Sequence, residues 1–397
     1  MMMSVRRSLL PGARSAGSAG SLSALGALLL SSLVVAPAYA ETRGYAISLI
    51  HTATYSDPAN CPSGGNGGVV EIKERILRSM GYSAEQSKQI IANNGVDERG
   101  ERVDLRRRGQ LNGQRVDVHS FPTSAPDPHI ETPQGRYAYG FNLDGQVQPG
   151  SFEDPETGER GIDNQMWRVL GCYEVYAVRR PVVPYNESIA WDTAMDSMPA
   201  WLLSVSGDDL DADGDVTVTF DRALNIVMRD ARGGVLAGSS YTIDADPRSH
   251  SVFKGHIENG VLTIDPGDFY MQGESQFYAV LRFQHTQLRL KMNPDGTLQG
   301  LIGGYQPWMD YYYYLAIRGE ETGQVDMPGV YNAMKRLADA DPDPATGQNR
   351  AISAAYYIEA APAFLTTMEG RTVARAHDPR EAGRPETSVR QEAALHE

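Results

Sequence analysis

A run of aspartates at every second position is the clearest candidate for chemistry in this sequence. Asp209, Asp211, Asp213 and Asp215 alternate along the chain, and Gly214 allows the tight bend that a loop around a cation needs. Because Ca²⁺ binds several oxygen ligands at once, this spacing predicts a calcium-binding loop. The alternative is an acidic turn whose carboxylates are hydrated separately.

The aspartate run does not have the pattern of an EF-hand. An EF-hand loop ends in a bidentate Glu at its twelfth position, and Phe220 occupies that position here. Val216, Val218 and Phe220 alternate with polar residues, as in a half-buried β-strand. We therefore expect calcium to bind in a loop beside a strand rather than between two helices.

A second group of oxygen-bearing residues lies between positions 144 and 164. Asp154, Asp163 and Asn164 stand close to several glycines, and their carboxylate and amide oxygens suit a hard cation such as Ca²⁺. The same side chains suit turns, in which Asp and Asn bond to nearby backbone groups. Both interpretations stay open, and apart from calcium no cofactor is predicted.

Part of this stretch resembles a segment of exported bacterial proteins that have no assigned activity. The residues are Gly161-Ile162-Asp163-Asn164-Gln165, followed by Leu170-Gly171-Cys172. The resemblance covers about a dozen residues. It implies export and a structured polar loop, and it implies no reaction.

An aromatic cluster is the candidate for binding an organic ligand. Tyr305 and Trp308 precede four consecutive tyrosines, Tyr311 to Tyr314. On a β-strand, Tyr311 and Tyr313 would face one side, because successive side chains alternate between two faces. With Trp308 they would form a platform on which sugars or other planar ligands stack. The alternative is ordinary packing of the rings against a sheet.

The sequence has no local catalytic signature. It contains no Gly-x-Ser-x-Gly elbow, no His-Glu-x-x-His metal motif and no Walker loop. A convergent triad leaves no local pattern, and the many acidic residues offer too many pairs to choose one for glycosidase chemistry. The sequence therefore leaves open whether the protein is an enzyme.

Residues 1–40 have the form of a signal peptide. Arg6 and Arg7 make its start basic, and Leu22 to Ala36 form an apolar run. Ala38-Tyr39-Ala40 then has the small-x-small form of a signal-peptidase site. The apolar run is shorter than the ~20 residues of a membrane span, so we expect cleavage and no integral span afterwards. The Arg pair also fits the twin-arginine route, and the sequence does not decide between the two routes. We expect an exported protein, periplasmic or extracellular.

The charge balance and the cysteines agree with export. The formal net charge is −14, and it becomes −17 without residues 1–40, which contain three Arg and no acidic residue. This acidity disfavours nucleic acid as a partner and favours cations. Cys61 and Cys172 are the only cysteines, and in an oxidising compartment such a pair is expected to form a disulfide.

The elements expected around these residues are mostly strands. From Trp201 to Ile317 short alternating segments recur, separated by turns such as Asn259-Gly260 and Asn293 to Gly296. The predicted fold class is mainly β with helical additions (α+β), with an antiparallel β-sandwich or barrel in the central and C-terminal part.

Helices and shorter strands are expected on both sides of this β region. An amphipathic helix is predicted from Val69 to Met80, and a second helix starts at a capping box of Ser83 and Gln86. Further helices are predicted for Pro328 to Leu337 and for Ala351 to Ala360. The shorter strand-like segments are residues 115–121, 136–141 and 173–178.

The predicted elements divide the chain into five segments, and the sequence leaves three alternative functions. The parts are a signal peptide (1–40), a mixed loop-rich region with a helical hairpin (41–185), an antiparallel β domain (186–325), a helical segment (326–366) and a flexible tail (367–397). We favour an exported β-rich binding or structural protein, stabilised by calcium, with a polymer, a small molecule or an envelope protein as partner. The alternatives are an extracytoplasmic hydrolase acting on a carbohydrate or ester, and an accessory subunit of an envelope complex.

Overall fold

The computed structural model of the protein describes residues 41–179, 182–275, 278–317 and 324–377. The predicted signal peptide and residues 378–397 of the predicted tail lie outside these ranges. Among the described residues, no helix has the length and apolar character needed to span a membrane.

Sixteen strands and six α-helices are described within these ranges. The strands are β1 (Glu41–Thr52), β2 (Gly109–Leu111), β3 (Gln114–Val116), β4 (Phe152–Glu153), β5 (Arg160–Ile162), β6 (Pro199–Gly207), β7 (Gly214–Ile226), β8 (Ser239–Thr242), β9 (His250–Glu258), β10 (Val261–Ile264), β11 (Gly267–Ser275), β12 (Tyr278–Met292), β13 (Leu298–Pro307), β14 (Ala340–Pro342), β15 (Asn349–Thr366) and β16 (Thr372–Ala374). The helices are α1 (Val69–Ser79), α2 (Ala84–Ala92), α3 (Gln165–Leu170), α4 (Tyr185–Ser197), α5 (Trp308–Ile317) and α6 (Met327–Leu337).

Eight of the strands close into an antiparallel β-barrel. They are bonded in the order β1, β6, β7, β9, β10, β12, β13 and β15, and β15 pairs with β1 to complete the ring. On β7, Val216, Val218 and Phe220 are buried in the core, as their alternation predicts. The prediction of a mainly β fold with helical additions is confirmed. Of the two architectures left open, the structure has the barrel.

The barrel combines strands from both ends of the described chain. β1 and β15 pair with each other, so the barrel takes strands from the regions expected to be loop-rich, β and helical. An outer layer from the loop-rich region covers β13 and β15. In this layer Phe141 and Leu143 pack against Leu301 on β13 and Tyr357 on β15.

The prediction of a helix for Ala351 to Ala360 is wrong, because this segment is the middle of β15. Alanine is the strongest helix former, and the segment is rich in it. The structure buries both faces of this strand, one in the barrel core and the other under the outer layer. Burial on both faces removes the alternation that identifies a strand in a sequence, and tertiary pairing overrides the local propensity.

The interpretation of Trp308 to Tyr314 as a strand is also wrong, because these residues lie in α5. Trp308, Tyr311, Tyr312 and Leu315 are buried. Their spacing follows one face of a helix. The rings of Tyr311 and Tyr314 lie 5.2 Å apart between centroids, as side chains three residues apart do in a helix.

The N-terminal helical hairpin is confirmed. α1 is followed by Gly81 at φ +100°, a left-handed conformation that glycine adopts without steric cost. α2 begins at the predicted capping box, in which Ser83 accepts a hydrogen bond from the N–H of Gln86.

The other short predictions have mixed outcomes. The helix from Pro328 is confirmed as part of α6, and the disulfide between Cys61 and Cys172 is present. The predicted strand at 173–178 is wrong, since this segment forms turns around the buried Tyr173 and Tyr176. Residues 136–141 form only isolated bridges, and β3 covers only the start of 115–121. β16 lies within the segment expected to be a flexible tail.

Candidate functional site

The loop of residues 139–165 carries one predicted site residue, Asp163, over the outer face of the barrel. Asp163 directly follows β5, and its backbone N–H donates to the carbonyl of Phe141 at 2.8 Å. Its Oδ2 accepts hydrogen bonds from the N–H groups of Leu143 at 2.8 Å and Asp144 at 3.3 Å. These three bonds hold the carboxylate in one orientation within the loop.

Asp339 approaches the same region from the other side through Ser353 on β15. Its Oδ1 accepts from the Ser353 N–H at 2.7 Å, and its Oδ2 accepts from the Ser353 hydroxyl at 2.6 Å. Ser353 is fully buried, and its hydroxyl oxygen accepts a hydrogen bond from the N–H of Gln165 at 3.0 Å. Ser353 therefore connects Asp339 to the loop that carries Asp163.

Tyr305 lies near these carboxylates on the outer face of the barrel. It is directly opposite Ser353 in the β13–β15 ladder, and its ring packs on the apolar residues of the outer layer. Among the described residues, its hydroxyl forms no hydrogen bond. We refer to Asp144, Asp163, Asp339 and Tyr305 as the acidic cluster.

Negative charge accumulates in the acidic cluster. Burial raises the pKa of Asp163 to about 6, and the charges of Asp144 and Asp339 act in the same direction. Asp339 is exposed as a residue, but burial of its carboxyl raises its pKa, the hydrogen bonds from Ser353 oppose this rise, and the charge of Asp144 adds to it. Burial and the same three carboxylates raise the pKa of Tyr305. In the described ranges, none of the three carboxylates is paired with Lys or Arg.

His285 lies at the solvent side of the acidic cluster. A bulge in β12 between Gln284 and Gln287 leaves His285 exposed at φ +53°. Its ring centroid is 6.4 Å from that of Tyr305. Bulges often redirect a side chain beside a functional site, so a ligand at Tyr305 would also meet this imidazole.

The other members of the second predicted cation group lie apart from Asp163. Asp154 caps its own turn, accepting from the N–H groups of Glu156 and Thr157, and its other oxygen pairs with Arg289 at 3.3 Å. Asn164 caps α3 by accepting from the N–H of Trp167 at 3.0 Å. The structure thus does not bring Asp154, Asp163 and Asn164 together on one point.

The four aspartates of the predicted calcium loop each have a different partner. Asp211 pairs with Arg43 at 2.9 Å, and Asp215 pairs with the Nδ1 of His256 at 2.9 Å. Asp213 accepts from the N–H of Asn259 at 2.7 Å, and Asp209 accepts from the N–H of Asp211 at 2.9 Å. In the part of the chain that the structure describes, no group of three or more His, Cys, Asp or Glu side chains is placed to hold a metal ion. Calcium binding stays a prediction.

The aromatic residues predicted to bind a ligand point in different directions from α5. Trp308 is buried, and its Nε1 donates to the carbonyl of Asn349 at 3.2 Å. Tyr311 is also buried, and its hydroxyl donates to Glu187 at 3.1 Å. Only Tyr313 of the three is exposed. A flat platform of Tyr311 and Tyr313 is therefore wrong, because these two side chains do not share a face of the helix.

Sequence reasoning missed Asp339 as a site residue, and it grouped Tyr305 with the aromatic residues around Trp308 rather than with the carboxylates. Asp163 and Asp339 lie far apart in the chain, and only the pairing of β13, β14 and β15 brings them to one place. The acidic segment around Asp341 and Asp343 indicated a break between helices, which hid the neighbouring Asp339. Asp144 did lie within the stretch singled out for its oxygen ligands.

The fold and the acidic cluster together define a closed antiparallel β-barrel with an acidic site on its outer face. Comparisons with protein-family models, with curated proteins and with solved structures found no match to this chain.

Proposed function

We propose that this protein is an exported β-barrel binding protein whose ligand is a small organic cation held at the acidic cluster. The observation that carries this proposal is Asp163, whose carboxyl is coupled to those of Asp144 and Asp339 and has no basic partner among the described residues. Partly buried carboxylates without counter-charge are unfavourable. An ammonium or guanidinium group would supply the positive charge that the site lacks.

Two features favour an organic cation over a metal ion. The described carboxylates do not converge closely enough to form a metal coordination shell. They do lie near Tyr305, whose half-buried ring and unbonded hydroxyl suit a larger cation. An aromatic face attracts ammonium and guanidinium groups, and the phenolic oxygen accepts their hydrogen bonds.

The disulfide supports the export part of the proposal. Cys61 and Cys172 are bonded to each other, and structural disulfides persist mainly in oxidising compartments. A binding protein in such a compartment meets external amines directly.

The first experiment is a calorimetric titration of the purified protein at neutral pH and low salt with 1,5-diaminopentane, argininamide and CaCl₂. We expect saturable binding of at least one of the amines, weakened by roughly tenfold or more in Asp163→Asn and in Asp339→Asn, about 1.4 kcal/mol or more. Added salt should weaken binding, because it screens charge at a partly exposed site.

The controls separate the site from general acidity. 1,5-Pentanediol has the length of the diamine without its charge and should not bind. Asp265→Asn removes an exposed carboxylate elsewhere and should leave amine affinity unchanged. Equal loss in all three variants, or no amine binding, would contradict the proposal. Saturable binding of Ca²⁺ alone would instead support the calcium prediction.

A hydrolase is the second candidate, and the raised pKa of Asp163 favours it. A carboxyl that keeps its proton near pH 6 can act as a general acid beside a second carboxylate such as Asp144. This alternative predicts turnover of chromogenic glycosides or esters that is lost in Asp163→Asn and falls as the pH rises above about 6. Ligand binding without turnover would favour the binding protein.

A further inference from the structure

A cavity of about 270 Å³ lies where β13 begins, whereas Tyr305 of the acidic cluster lies near the other end of that strand. Its walls come from the start of β1, the β6–β7 loop, the β9–β10 and β12–β13 turns, and His377 after β16. Leu210, Ile257, Met292 and Leu298 give it a largely apolar lining. The mouths of β-barrels are frequent sites for small molecules, because the strands hold such a lining rigidly.

Tyr45 places an unbonded hydroxyl in this cavity. The residue lines the cavity and is only 1% exposed. Among the described residues, its hydroxyl forms no hydrogen bond. Burial raises the pKa of Tyr45 to about 12, so the hydroxyl keeps its proton and remains a donor. The hydroxyl oxygen is not fully enclosed but opens into the cavity, where the acceptor atom of a ligand can reach it.

Arg43 lines the same cavity and adds a second donor. It shares a face of β1 with Tyr45, since the two residues are two positions apart on a strand. Its Nε donates to Glu41 at 2.7 Å and its Nη1 to Asp211 at 2.9 Å. Its Nη2 makes no bond to the described residues.

The charges around Arg43 decide which acceptor fits. Glu41 and Asp211 already neutralise the guanidinium, and together they leave one excess negative charge beside it, with the imidazole of His377 on the cavity wall near Asp211. A third carboxylate would be repelled. A carbonyl oxygen accepts hydrogen bonds from the Tyr45 hydroxyl and Arg43 Nη2 without adding charge.

We propose that this barrel-end cavity binds a small, uncharged and mostly apolar molecule through a carbonyl oxygen that accepts hydrogen bonds from Tyr45 and Arg43. The volume equals that of roughly nine waters at ~30 Å³ each, which corresponds to a ligand of about nine or ten non-hydrogen atoms. This site is separate from the acidic cluster and does not depend on the organic-cation proposal.

Three probes of nearly equal size test the proposal. Acetophenone carries an aromatic ring and a carbonyl, ethylbenzene lacks the acceptor, and benzoate is charged. We expect calorimetric titration of the full-length protein to give saturable binding of acetophenone, with ethylbenzene and benzoate at least tenfold weaker. Tyr45→Phe removes only the hydroxyl and should weaken acetophenone at least fivefold while leaving ethylbenzene unchanged.

Two further variants complete the experiment, one as a control outside the cavity and one that fills the cavity. Tyr270→Phe removes a half-buried hydroxyl on β11, outside the cavity, and should leave acetophenone affinity unchanged. Met292→Trp fills the cavity from its wall and should abolish binding of all three probes, so it decides the matter if Tyr45→Phe does not fold. The proposal is overturned if wild type does not bind acetophenone, if Tyr45→Phe binds it as tightly as wild type, or if benzoate binds more tightly than acetophenone.

Discussion

At the scale of single residues, Asp163 shows how the fold changes the chemistry of a side chain. In the sequence it is one of many acidic residues. In the structure its carboxyl is partly buried beside Asp144 and Asp339, and its pKa rises to about 6 from an ordinary 3.8. A carboxyl whose pKa is raised by folding takes up its proton more readily in the folded state than in the unfolded state.

This shift predicts the pH dependence of stability. The stabilising effect of protonating Asp163 is complete below pH 3.8 and is lost as the pH rises through about 6. Asp163→Asn keeps an oxygen acceptor for Leu143 and Asp144 and removes the charge. At pH 7 we expect the variant to be more stable than wild type by about 1–2 kcal/mol, discounted because the carboxyl is partly solvated.

Urea unfolding of both proteins between pH 3.5 and 7.5 measures this difference. The two stabilities should converge as the pH falls towards 3.8. Asp265→Asn serves as the matched control for loss of one exposed charge. A constant difference between Asp163→Asn and wild type over the whole range would show that the charge of Asp163 is not the cause.

At the scale of elements, α6 depends on one buried ion pair at its start. Asp326 caps the helix by accepting from the N–H of Gly329, and it pairs with Arg108 at 2.9 Å. Both side chains are almost fully buried, at 7% exposure for Arg108 and 6% for Asp326. The pattern beginning at Pro328 indicated this helix, whereas nothing in the sequence indicated the pairing with Arg108.

Asp326→Ala should destabilise the protein by about 3–5 kcal/mol, because it leaves the Arg108 guanidinium buried without its partner. Chemical denaturation of the purified variant measures the loss. Asp246→Ala is the matched control, since Asp246 also caps a short helix and pairs with an Arg, but with the exposed Arg248. We expect a much smaller loss there, and equal losses would show that burial of the ion pair is unimportant.

At the scale of the whole molecule, the disulfide joins the segment after β1 to the end of α3. Cys61 and Cys172 are separated by 111 positions, so the bond closes a long loop of the unfolded chain. The chain-entropy model assigns such a loop about 4–5 kcal/mol, and measured values are often smaller.

Replacing both residues by serine should therefore lower the free energy of unfolding by about 2–5 kcal/mol. Wild type unfolded in the presence of a reductant should lose a similar amount. Near-UV circular dichroism of the double variant at neutral pH checks that the barrel still packs. An unchanged unfolding midpoint would contradict the stabilising role of the disulfide.

The sequence by itself determined the features that depend on neighbouring residues. Three such features match the structure, and each depends on residues only a few positions apart. They are the capping box at Ser83, the turn at Asn259 and the alternation of Val216 to Phe220. The disulfide was also predictable, because a chain with two cysteines has only one possible pair.

Only the tertiary structure decided the features that depend on what covers a segment. β15 is a strand because β1 and β13 bond to its edges and the outer layer covers its second face, although its alanines favour a helix. The acidic cluster arises for the same reason. Asp163 and Asp339 come near each other only through strands that are distant in sequence, and the burial that raises their pKa values exists only after those strands have paired.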